Sequence, residues 1–525
     1  MIVSIFNDVI GPVMRGASSS HCAAALRIGR IARELMNNKI DHVLVEFDTA
    51  GSLPTTHHSQ GSDMGLFGGL LGWDADDDRL ADSAQWLDQA GIEKSFAYRK
   101  FGDPHPNTYR LTLRHRDTSR HLVAISTGGG MFEVTQIDGC DVSIAGDYDE
   151  TLAWYDQPLE IDAATVRAAL NADDVRIIGH ESITLLHIRG QQSYNDASLS
   201  RQVGNARAIR VDRLSPVLPV RSRRNLSVPF QSCSEMLAYA SEAEPGLPLW
   251  KLAVEFEMAR SGLSEDGVVE KMCEIVRILQ RSVQQGLEGT SYQDRILGPQ
   301  AGEFKKAMDE NRLLDTGILN RIVLYTTALM EVKSSMGVIV AAPTAGACAA
   351  LPATCLATGE VLGLDEVEVA RGMLAAGLIG VFIATHWSFA AETGGCQAEG
   401  GSAAAMAAAA LVTFQGGTLA QASDAASMAM QNMLGLICDP VAGRVEVPCL
   451  GKNVMAASNA VSCANMALAG FDAVIPLDET IAAAKSVAER MPREHRCTAL
   501  GGLAATATSL TIENRLRGCS ACPES

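Results

Sequence analysis

The amino-acid sequence lacks an excess of positive charge, and this absence removes two classes of partner. Its 525 residues include 43 lysines and arginines against 61 aspartates and glutamates, so the formal net charge is −18. Nucleic acids and anionic membranes both require a basic protein surface, because binding releases counterions or pairs with lipid headgroups. We therefore expect neither a nucleic acid nor a membrane as partner, and we expect a small-molecule substrate instead.

The sequence also lacks a recognisable secretory leader and a convincing membrane span. No basic residue precedes the short apolar stretch at the N-terminus, and Asp8 interrupts that stretch. Three runs without acidic or basic residues are long enough to cross a bilayer, but they are interrupted by prolines or polar residues or consist mostly of alanine and glycine. These runs are residues 334–359, 372–391 and 400–423. We expect them to be buried helices of a large helical domain, and we expect the protein to be cytoplasmic.

Strand-like and helical patterns alternate in the first part of the chain and give way to helices in the second. Between residues 215 and 230 three prolines bracket a basic patch, and we place the domain boundary there. The sequence predicts an α/β (α+β) domain over residues 1–222, then a larger all-α catalytic domain over residues 223–525. A small regulatory fold is possible within residues 174–220. Predicted strands are 42–47, 108–113, 121–125 and 183–188, and predicted helices are 23–36, 232–240, 248–261 and 264–285.

Thirteen cysteines in a chain without a leader indicate a reducing compartment, where metal or catalytic roles are more common than disulfides. Three of them, Cys396, Cys438 and Cys449, have a nearby glycine or proline that would end a helix. Their spacing matches no structural zinc pattern. Three thiolates fit a cubane iron–sulfur cluster with one iron free of protein sulfur, although unrelated core cysteines are the commoner outcome of such a pattern.

Longer phrases around these cysteines closely resemble the iron–sulfur-dependent L-serine dehydratases, also called L-serine ammonia-lyases. The phrases are Ala-Ala-Pro-Thr-Ala-Gly at 341–346, Gly-Gly-Cys-Gln-Ala-Glu at 394–399, Gln-Asn-Met-Leu-Gly-Leu-Ile-Cys-Asp-Pro-Val-Ala-Gly at 431–443 and Glu-Val-Pro-Cys at 446–449. The resemblance continues in residues 18–21, 51–53, 105–107, 128–130 and 499–506, so it covers nearly the whole chain.

The resemblance implies a 4Fe-4S cluster held by Cys396, Cys438 and Cys449, with the fourth iron open to substrate and no pyridoxal phosphate. It implies a lyase of amino-acid catabolism and gluconeogenesis that eliminates water from L-serine and releases pyruvate and ammonia. An iron that binds the hydroxyl lowers the cost of expelling it, and a base removes the Cα proton. We expect a homodimer, because the helical domain is apolar and rich in alanine.

The general base is the point at which this sequence departs from the family. Family members commonly have a histidine in a Gly-Lys-Gly-His stretch after Gly-Ser-Leu, and an ungapped count places Gln60 there. An amide cannot accept a proton at neutral pH, so another histidine or another substrate is required. We favour His58, with His21 next and His57 as a further candidate.

Six further residues are expected to bind substrate or tune the cluster, each with an ordinary structural alternative. The serines alternatively cap the following helix, the threonine belongs to a turn, and a lysine is by default solvated. Cys519 or Cys522 could cap the open iron, as a terminal cysteine does in some relatives, or could be idle thiols of a frayed tail. The six residues are Ser18, Ser19, Ser20, Thr344, Lys452 and Asn453.

Other functions remain open on sequence alone. The same cluster could act on threonine, cysteine or another β-substituted amino acid, which the glutamine at position 60 motivates. A non-catalytic iron–sulfur sensor would prefer four permanent thiolate ligands and would produce no pyruvate. A zinc-stabilised interaction protein would be colourless when loaded with metal.

Overall fold

The computed structural model describes residues 2–519 except 17, 20, 59, 205, 244–245 and 293–294. The chain forms two compact units. The first, here called the α/β unit, is Ser18–Leu226; the second, the helical unit, joins Met1–Ala17 to Ser227–Ser525. The sequence pattern predicts that the N-terminal segment belongs to the first domain, whereas the structure groups it with the helices.

Twelve strands are present among the described residues, and they form three sheets. The strands are β1 (Val13–Arg15), β2 (His42–Asp48), β3 (Glu93–Arg99), β4 (Thr108–His115), β5 (Thr118–Gly128), β6 (Met131–Ile137), β7 (Cys140–Ile144), β8 (Asp149–Tyr155), β9 (Asp174–His180), β10 (Ile183–Gly190), β11 (Arg210–Leu214) and β12 (Val338–Val340).

The α-helices of the same residues number nineteen, and short 3₁₀ or π-helical turns lie between some of them. The helices of the α/β unit are α1 (Cys22–Leu35), α2 (Leu53–Thr56), α3 (Ser62–Leu71), α4 (Ser83–Gln89), α5 (Ala163–Leu170) and α6 (Asp196–Ser200). Those of the helical unit are α7 (Cys233–Glu242), α8 (Leu249–Ser261), α9 (Glu265–Glu288), α10 (Ala301–Asp309), α11 (Ile318–Ser334), α12 (Ala350–Leu362), α13 (Glu366–His386), α14 (Ala391–Gly394), α15 (Ser402–Phe414), α16 (Leu419–Gln431), α17 (Cys449–Leu468), α18 (Leu477–Arg490) and α19 (Ala507–Cys519).

The predicted fold class is confirmed, because an α/β region precedes a helix-rich one. All four predicted strands fall within β2, β4, β5 and β10. The four predicted helices correspond to α1, α7, α8 and α9, with ends that differ by at most three residues. Side-chain caps explain two of the starts: Ser232 accepts a hydrogen bond from Glu235 N and Ser264 accepts one from Gly267 N.

A six-stranded sheet and the helices α1 and α3 build the main core of the α/β unit. The strand order is β3-β2-β4-β5-β6-β7, with β2 and β3 parallel and the remaining neighbours antiparallel. Buried residues alternate along β2, where Val43, Val45 and Phe47 face the core. This period of two is the expected pattern for a strand with one face covered.

A second, antiparallel sheet of the α/β unit has the order β11-β8-β10-β9. Its chain order, β8-α5-β9-β10-α6-β11, is a β-α-β-β-α-β module. Along β8, Leu152 and Trp154 join the main core, whereas Ala153 and Tyr155 pack in a separate core with residues of α5 and α6. The module starts upstream of the region in which the sequence suggested a regulatory fold, and its regulatory role stays a prediction.

The helical unit is built around α15, which is buried on every side from Ser402 to Val412. It packs against α12, α13, α16 and α17. Eight of its first nine residues are alanine or serine, and the ninth is a methionine. Such small side chains allow close approach of neighbouring helices. A helix that is apolar all round requires this kind of enclosure.

The N-terminal segment is fastened to the helical unit by one buried carboxylate. Ser4 Oγ donates to Glu257 Oε1 at 2.7 Å, and the Ile5 amide donates to Glu257 Oε2 at 2.9 Å. Burial raises the pKa of Glu257 to about 7, although these hydrogen bonds oppose the rise. Strand β1 then pairs antiparallel with β12, with Met14 opposite Ile339. Nothing in the sequence around Glu257 predicts that this carboxylate binds Ser4 and Ile5.

One described helix, α13, is long and apolar enough to span a bilayer by length and composition. In the structure 78% of its apolar window is buried inside the protein. It begins with a capping box in which Asp365 and Glu368 satisfy each other's backbone amides. The burial agrees with the expectation that the uncharged run at 372–391 is a core helix.

Helices α1 and α3 touch through glycines, and this contact is testable. A Cβ at Gly69 would overlap the Leu26 carbonyl oxygen, which belongs to the facing helix backbone. We expect Gly69→Ala to lower the free energy of unfolding by roughly 1–3 kcal/mol, because backbone cannot yield as a flexible side chain can. Gly302→Ala is the control, since Gly302 is also helical but has open space at that point. It should be neutral or slightly stabilising in urea titrations, and equal destabilisation by both substitutions would contradict the packing argument.

Candidate metal centre

Cys396 lies in a sharp turn between α14 and α15 of the helical unit. Gly395, at φ +67°, lies in the left-handed region, and a Cβ there would come within 2.9 Å of the Leu436 carbonyl oxygen. The Gln397 amide donates to that same Leu436 oxygen at 2.9 Å. A π-helical turn, Gln397–Gly401, then leads into α15. Glycine is therefore required for the turn that places the Cys396 thiol beside residues 436–438.

Cys438 lies in an extended segment held by backbone hydrogen bonds. Its amide donates to the His495 carbonyl oxygen at 2.9 Å, and the Cys497 amide donates to the Cys438 oxygen at 3.2 Å. The Cys438 thiol is in hydrogen-bond contact with the thiols of Cys396 and Cys497, and these contacts, with burial, raise its pKa. Three thiols thus meet at one place, and the structure contains them as free cysteines rather than as a disulfide.

Cys449 is the first residue of α17, so its thiol lies at a helix N-terminus. Burial raises the pKa of Cys449, whereas the nearby ammonium groups of Lys333 and Lys452 lower it. Negative charge on Cys396 and Glu399 raises the pKa of Cys449 further. A helix N-terminus and two cations are surroundings that favour a thiolate, which is the form that binds metal.

Lys452 connects Cys396, one of the predicted ligands, to an acidic neighbour. Its Nζ donates to Asp439 Oδ1 at 2.6 Å and to the Ile437 carbonyl oxygen at 2.7 Å, and lies 3.7 Å from Cys396 Sγ. Burial lowers the pKa of Lys452, but attraction to Cys396 and Asp439 outweighs this effect and leaves the pKa raised. The ammonium group therefore stays charged and can offset negative charge on the thiolates.

Glu399 adds a carboxylate to the thiols. The ligand atoms of Cys396, Glu399 and Cys438 all lie within 4.8 Å of one another. Thr344 Oγ1 donates to Glu399 Oε1 at 2.7 Å, and burial raises the pKa of Glu399 to about 7. A Cβ at Gly346 would come within 2.6 Å of Oε1, so glycine leaves room for the carboxylate. Thr344 thus contacts this acid in the structure; its predicted role in substrate binding stays a prediction.

Asn453 uses its amide entirely on protein backbone. Its Oδ1 accepts from the Ala349 and Ala350 amides at 3.3 and 3.1 Å, and its Nδ2 donates to the Gly346 and Cys449 carbonyl oxygens at 2.8 and 2.9 Å. These bonds join the loop before α12 to the first turn of α17. They position Cys449, whereas direct contact of Asn453 with substrate stays a prediction.

The α/β unit contains the predicted bases, and the structure separates them by environment. His21 is buried, with Nδ1 2.9 Å from Ser18 Oγ and Nε2 3.1 Å from Thr56 Oγ1. Burial lowers the pKa of His21 to about 4, so its ring is neutral at neutral pH. The side chain of His58, by contrast, is 93% exposed, and its Nδ1 lies 3.6 Å from Asp63 Oδ2.

His57 is the better connected of the two adjacent histidines. Its Nδ1 lies 2.7 Å from Asp63 Oδ1, and its Nε2 lies 2.9 Å from the Tyr98 hydroxyl. The ring also packs against Phe47 and Phe96. Desolvation would raise the pKa of Asp63, but hydrogen bonds from His57 and His58 dominate and lower it. An ionised aspartate fixes the His57 ring orientation.

The remaining predicted site residues are placed as follows. Ser18 contacts His21, and the carbonyl oxygens of Ser18 and Ser19 accept from the first amides of α1, which is the alternative helix-start role. Ser20 and Cys522 lie outside the described residues, as does the side chain of Cys519. Sequence reasoning missed Glu399 and Cys497. Glu399 is only three residues from Cys396, so the sequence could have indicated it. No residue near Cys497 in the sequence indicates its position, because it lies beside Cys438, which is 59 residues earlier in the chain.

Comparison with known proteins agrees with the site. The family model described as Serine dehydratase alpha chain matches residues 244–504. A probable L-serine dehydratase alpha chain of Bacillus subtilis is 37% identical over 289 residues, which are 55% of this chain and 96% of that protein. An L-serine dehydratase of Streptomyces coelicolor is 30% identical over 517 residues, 96% of this chain and 99% of that one.

A probable L-serine dehydratase beta chain of Bacillus subtilis is 38% identical over 145 residues, which are 28% of this chain and 64% of that protein. Alpha-chain and beta-chain relatives thus both match parts of this single polypeptide. The described residues also contain a cysteine-rich group suited to metal. The chain belongs to the L-serine dehydratase family, whose members are lyases.

The buried, neutral His21 leads to a pH-dependent prediction. Unfolded His21 has its ordinary pKa of 6.5, whereas the folded ring protonates only near 4, so the unfolded chain binds more protons between these values. Titration of His21 therefore leaves the free energy of unfolding unchanged above pH 6.5, and it lowers that free energy as the pH falls from 6.5 towards 4. We expect His21→Gln to remove on the order of 3 kcal/mol of this loss, at 1.36 kcal/mol per pKa unit.

Urea unfolding of the full chain at several pH values measures this effect. His58→Gln is the matched control, because the side chain of His58 is 93% exposed and folding therefore desolvates its ring little. The control should retain the wild-type pH dependence of the unfolding free energy. An unchanged dependence in the His21 variant would contradict the buried, neutral assignment.

Proposed function

We propose that this protein is an L-serine ammonia-lyase that eliminates water from L-serine and yields pyruvate and ammonia. The observation that carries the proposal is that ligand atoms of buried Cys396 and Cys438 and half-buried Glu399 lie within 4.8 Å of one another, in a chain that aligns along nearly all of its length with an L-serine dehydratase. We further propose that it acts in the cytoplasm as a homodimer. The acidic net charge of −18 supports a small-molecule substrate rather than a nucleic acid.

We propose that Cys396, Cys438 and Cys449 hold a 4Fe-4S cluster. The donor set supports this fit, because these are soft sulfur ligands, all three are buried, and none is in a disulfide. Buried thiols with raised pKa values require a compensating positive charge before they ionise, and a metal supplies it. When bound, such a cluster supplies a Lewis-acidic iron for the leaving hydroxyl group of substrate.

The chain's own residues have separate parts in this proposal. The Lys452 ammonium contacts the Cys396 thiol, and the hydrogen bond from Lys452 to Asp439 limits the movement of the lysine side chain. Asn453 fixes the start of α17 and therefore the position of Cys449. Glu399 lies where it can exchange a proton, and the Thr344 hydroxyl orients its carboxylate. Each contact reduces the motion of a group that faces the thiols, which is the usual contribution of protein around a metal.

A histidine of the α/β unit is proposed as the base that removes the Cα proton. His58 and His21 are the two candidates, and His21 is in the neutral form that a base requires. Ser18, Ser19 and Ser20 are proposed to contact the substrate carboxylate. Because Gln60 occupies the position of the family histidine, the substrate panel must include threonine and cysteine beside serine.

The proposal predicts that iron, acid-labile sulfide and turnover depend on the same three cysteines. Protein purified without oxygen should be brown and should form pyruvate from serine. Replacing Cys396, Cys438 or Cys449 by Ala should reduce serine turnover by at least about 100-fold, the loss expected when a metal ligand or its support is removed. Iron and sulfide analysis should show the same loss in each variant.

Cys273→Ala is the matched control, because Cys273 is equally buried but lies in α9. It should keep its colour and its turnover. Activity confined to threonine or cysteine would contradict the serine assignment and retain the cluster. Colourless, zinc-loaded protein with full serine turnover would contradict the cluster itself.

A further inference from the structure

Cys497 stands apart from the other cysteines by its exposure. Of the eleven cysteines whose side chains the structure describes, ten are buried and Cys497 is half-buried. Its backbone also has a positive φ of 61°, which is rare for a residue with a Cβ. Such a conformation persists only where the surrounding structure fixes it, and it occurs often at functional sites.

Cys497 lies beside Cys438 in the structure. It packs against the small apolar cluster that contains Cys396 and Cys438, and interaction with the Cys497 thiol is one cause of the raised pKa of Cys438. A solvent-reachable thiol beside a buried one is the arrangement in which an oxidant attacks the first and the second resolves it. Cys396 offers the same contact to Cys438 but is itself buried.

The backbone brings the two residues close enough for a covalent link. The Cys497 amide donates to the Cys438 carbonyl oxygen, and the preceding residue pairs with Cys438 in a bridge of the β type. The backbone hydrogen bond of 3.2 Å from the Cys497 amide to the Cys438 oxygen places the two residues side by side, and disulfides require Cα atoms about 4.4–6.8 Å apart. The link therefore joins residues whose backbones are already in contact.

We propose that Cys438 and Cys497 form a reversible disulfide when a peroxide reaches the site after metal has left it. The Cys497 thiolate attacks the peroxide, an S–O bond forms, the O–O bond breaks and water leaves. The Cys438 thiolate then displaces hydroxide from the resulting sulfenic acid, an S–S bond forms and a second water leaves. Two thiols thus supply the two electrons that reduce one hydrogen peroxide to two waters.

This disulfide protects a ligand at the cost of temporary inactivity. It rests on the proposed function in one respect, because Cys438 is the proposed cluster ligand that the link occupies. While linked, Cys438 cannot bind iron, and its sulfur cannot proceed to the irreversible sulfinic acid. A thiol reductant releases both cysteines, so the site can be filled again.

Peptide mapping of the full-length protein tests the link directly. Protein purified without oxygen is treated with hydrogen peroxide, the remaining thiols are alkylated, and the chain is digested without reduction. Trypsin leaves Cys396 and Cys438 on one peptide, so a protease that cleaves after glutamate is added to separate them at Glu399. We expect a peptide that joins Cys438 to Cys497 and disappears on treatment with dithiothreitol.

Iron uptake after that reduction provides the second measurement. Wild-type protein should regain most of its iron and sulfide, whereas Cys497→Ser should regain roughly fivefold less, since its Cys438 is oxidised irreversibly. Cys463→Ser is the control, because Cys463 is a buried thiol of α17 that contacts Asn432 and not the cluster of thiols. It should behave as the wild type does.

Each alternative result has a distinct meaning. A link between Cys396 and Cys438, or equal iron recovery by wild type and Cys497→Ser, would overturn the proposal. Freshly purified protein without iron and sulfide would overturn the proposed cluster. The linked peptide would still be expected in that protein, because the two thiols are in contact without any metal.

Discussion

The site depends on one extended segment, residues 436–438, whose backbone groups bind three other parts of the chain. The Leu436 oxygen accepts from Gln397, the Ile437 oxygen accepts from Lys452, and Cys438 exchanges backbone hydrogen bonds with residues 495 and 497. Except for the bond from the Lys452 side chain, these are backbone–backbone hydrogen bonds, which fix position regardless of side-chain identity. They bring together sulfur atoms that are far apart in the sequence.

Electrostatics then decide what such a gathering can do. Buried thiols resist ionisation, and mutual contact strengthens that resistance at Cys438. The Lys452 ammonium and the N-terminus of α17 favour ionisation of the thiols. Their positive charge is smaller than the negative charge that three thiolates and a carboxylate would carry together. A bound metal resolves the imbalance, since it takes sulfur in the ionised form. Without metal the same crowding leaves neighbouring thiols that a peroxide can oxidise to a disulfide.

Much of this was predictable because the relevant signals are local. Glycine and proline beside Cys396, Cys438 and Cys449 indicated chain turns, and runs of small residues indicated a buried helix at α15. The attachment of the N-terminal segment to Glu257 was not predictable, because it joins residues about 250 positions apart by hydrogen bonds. Cys497 was missed for the same reason. His57 and His58 are identical in type, and only tertiary packing distinguishes the buried one from the exposed one.

Mössbauer spectroscopy of protein enriched in ⁵⁷Fe and purified without oxygen tests the central claim most directly. The account predicts four irons per chain, of which one alone changes its spectrum when L-serine is added, because the proposed cluster has three irons held by cysteine and one open to substrate. Four irons that are all insensitive to serine, or an iron-free protein that still releases pyruvate, would contradict it.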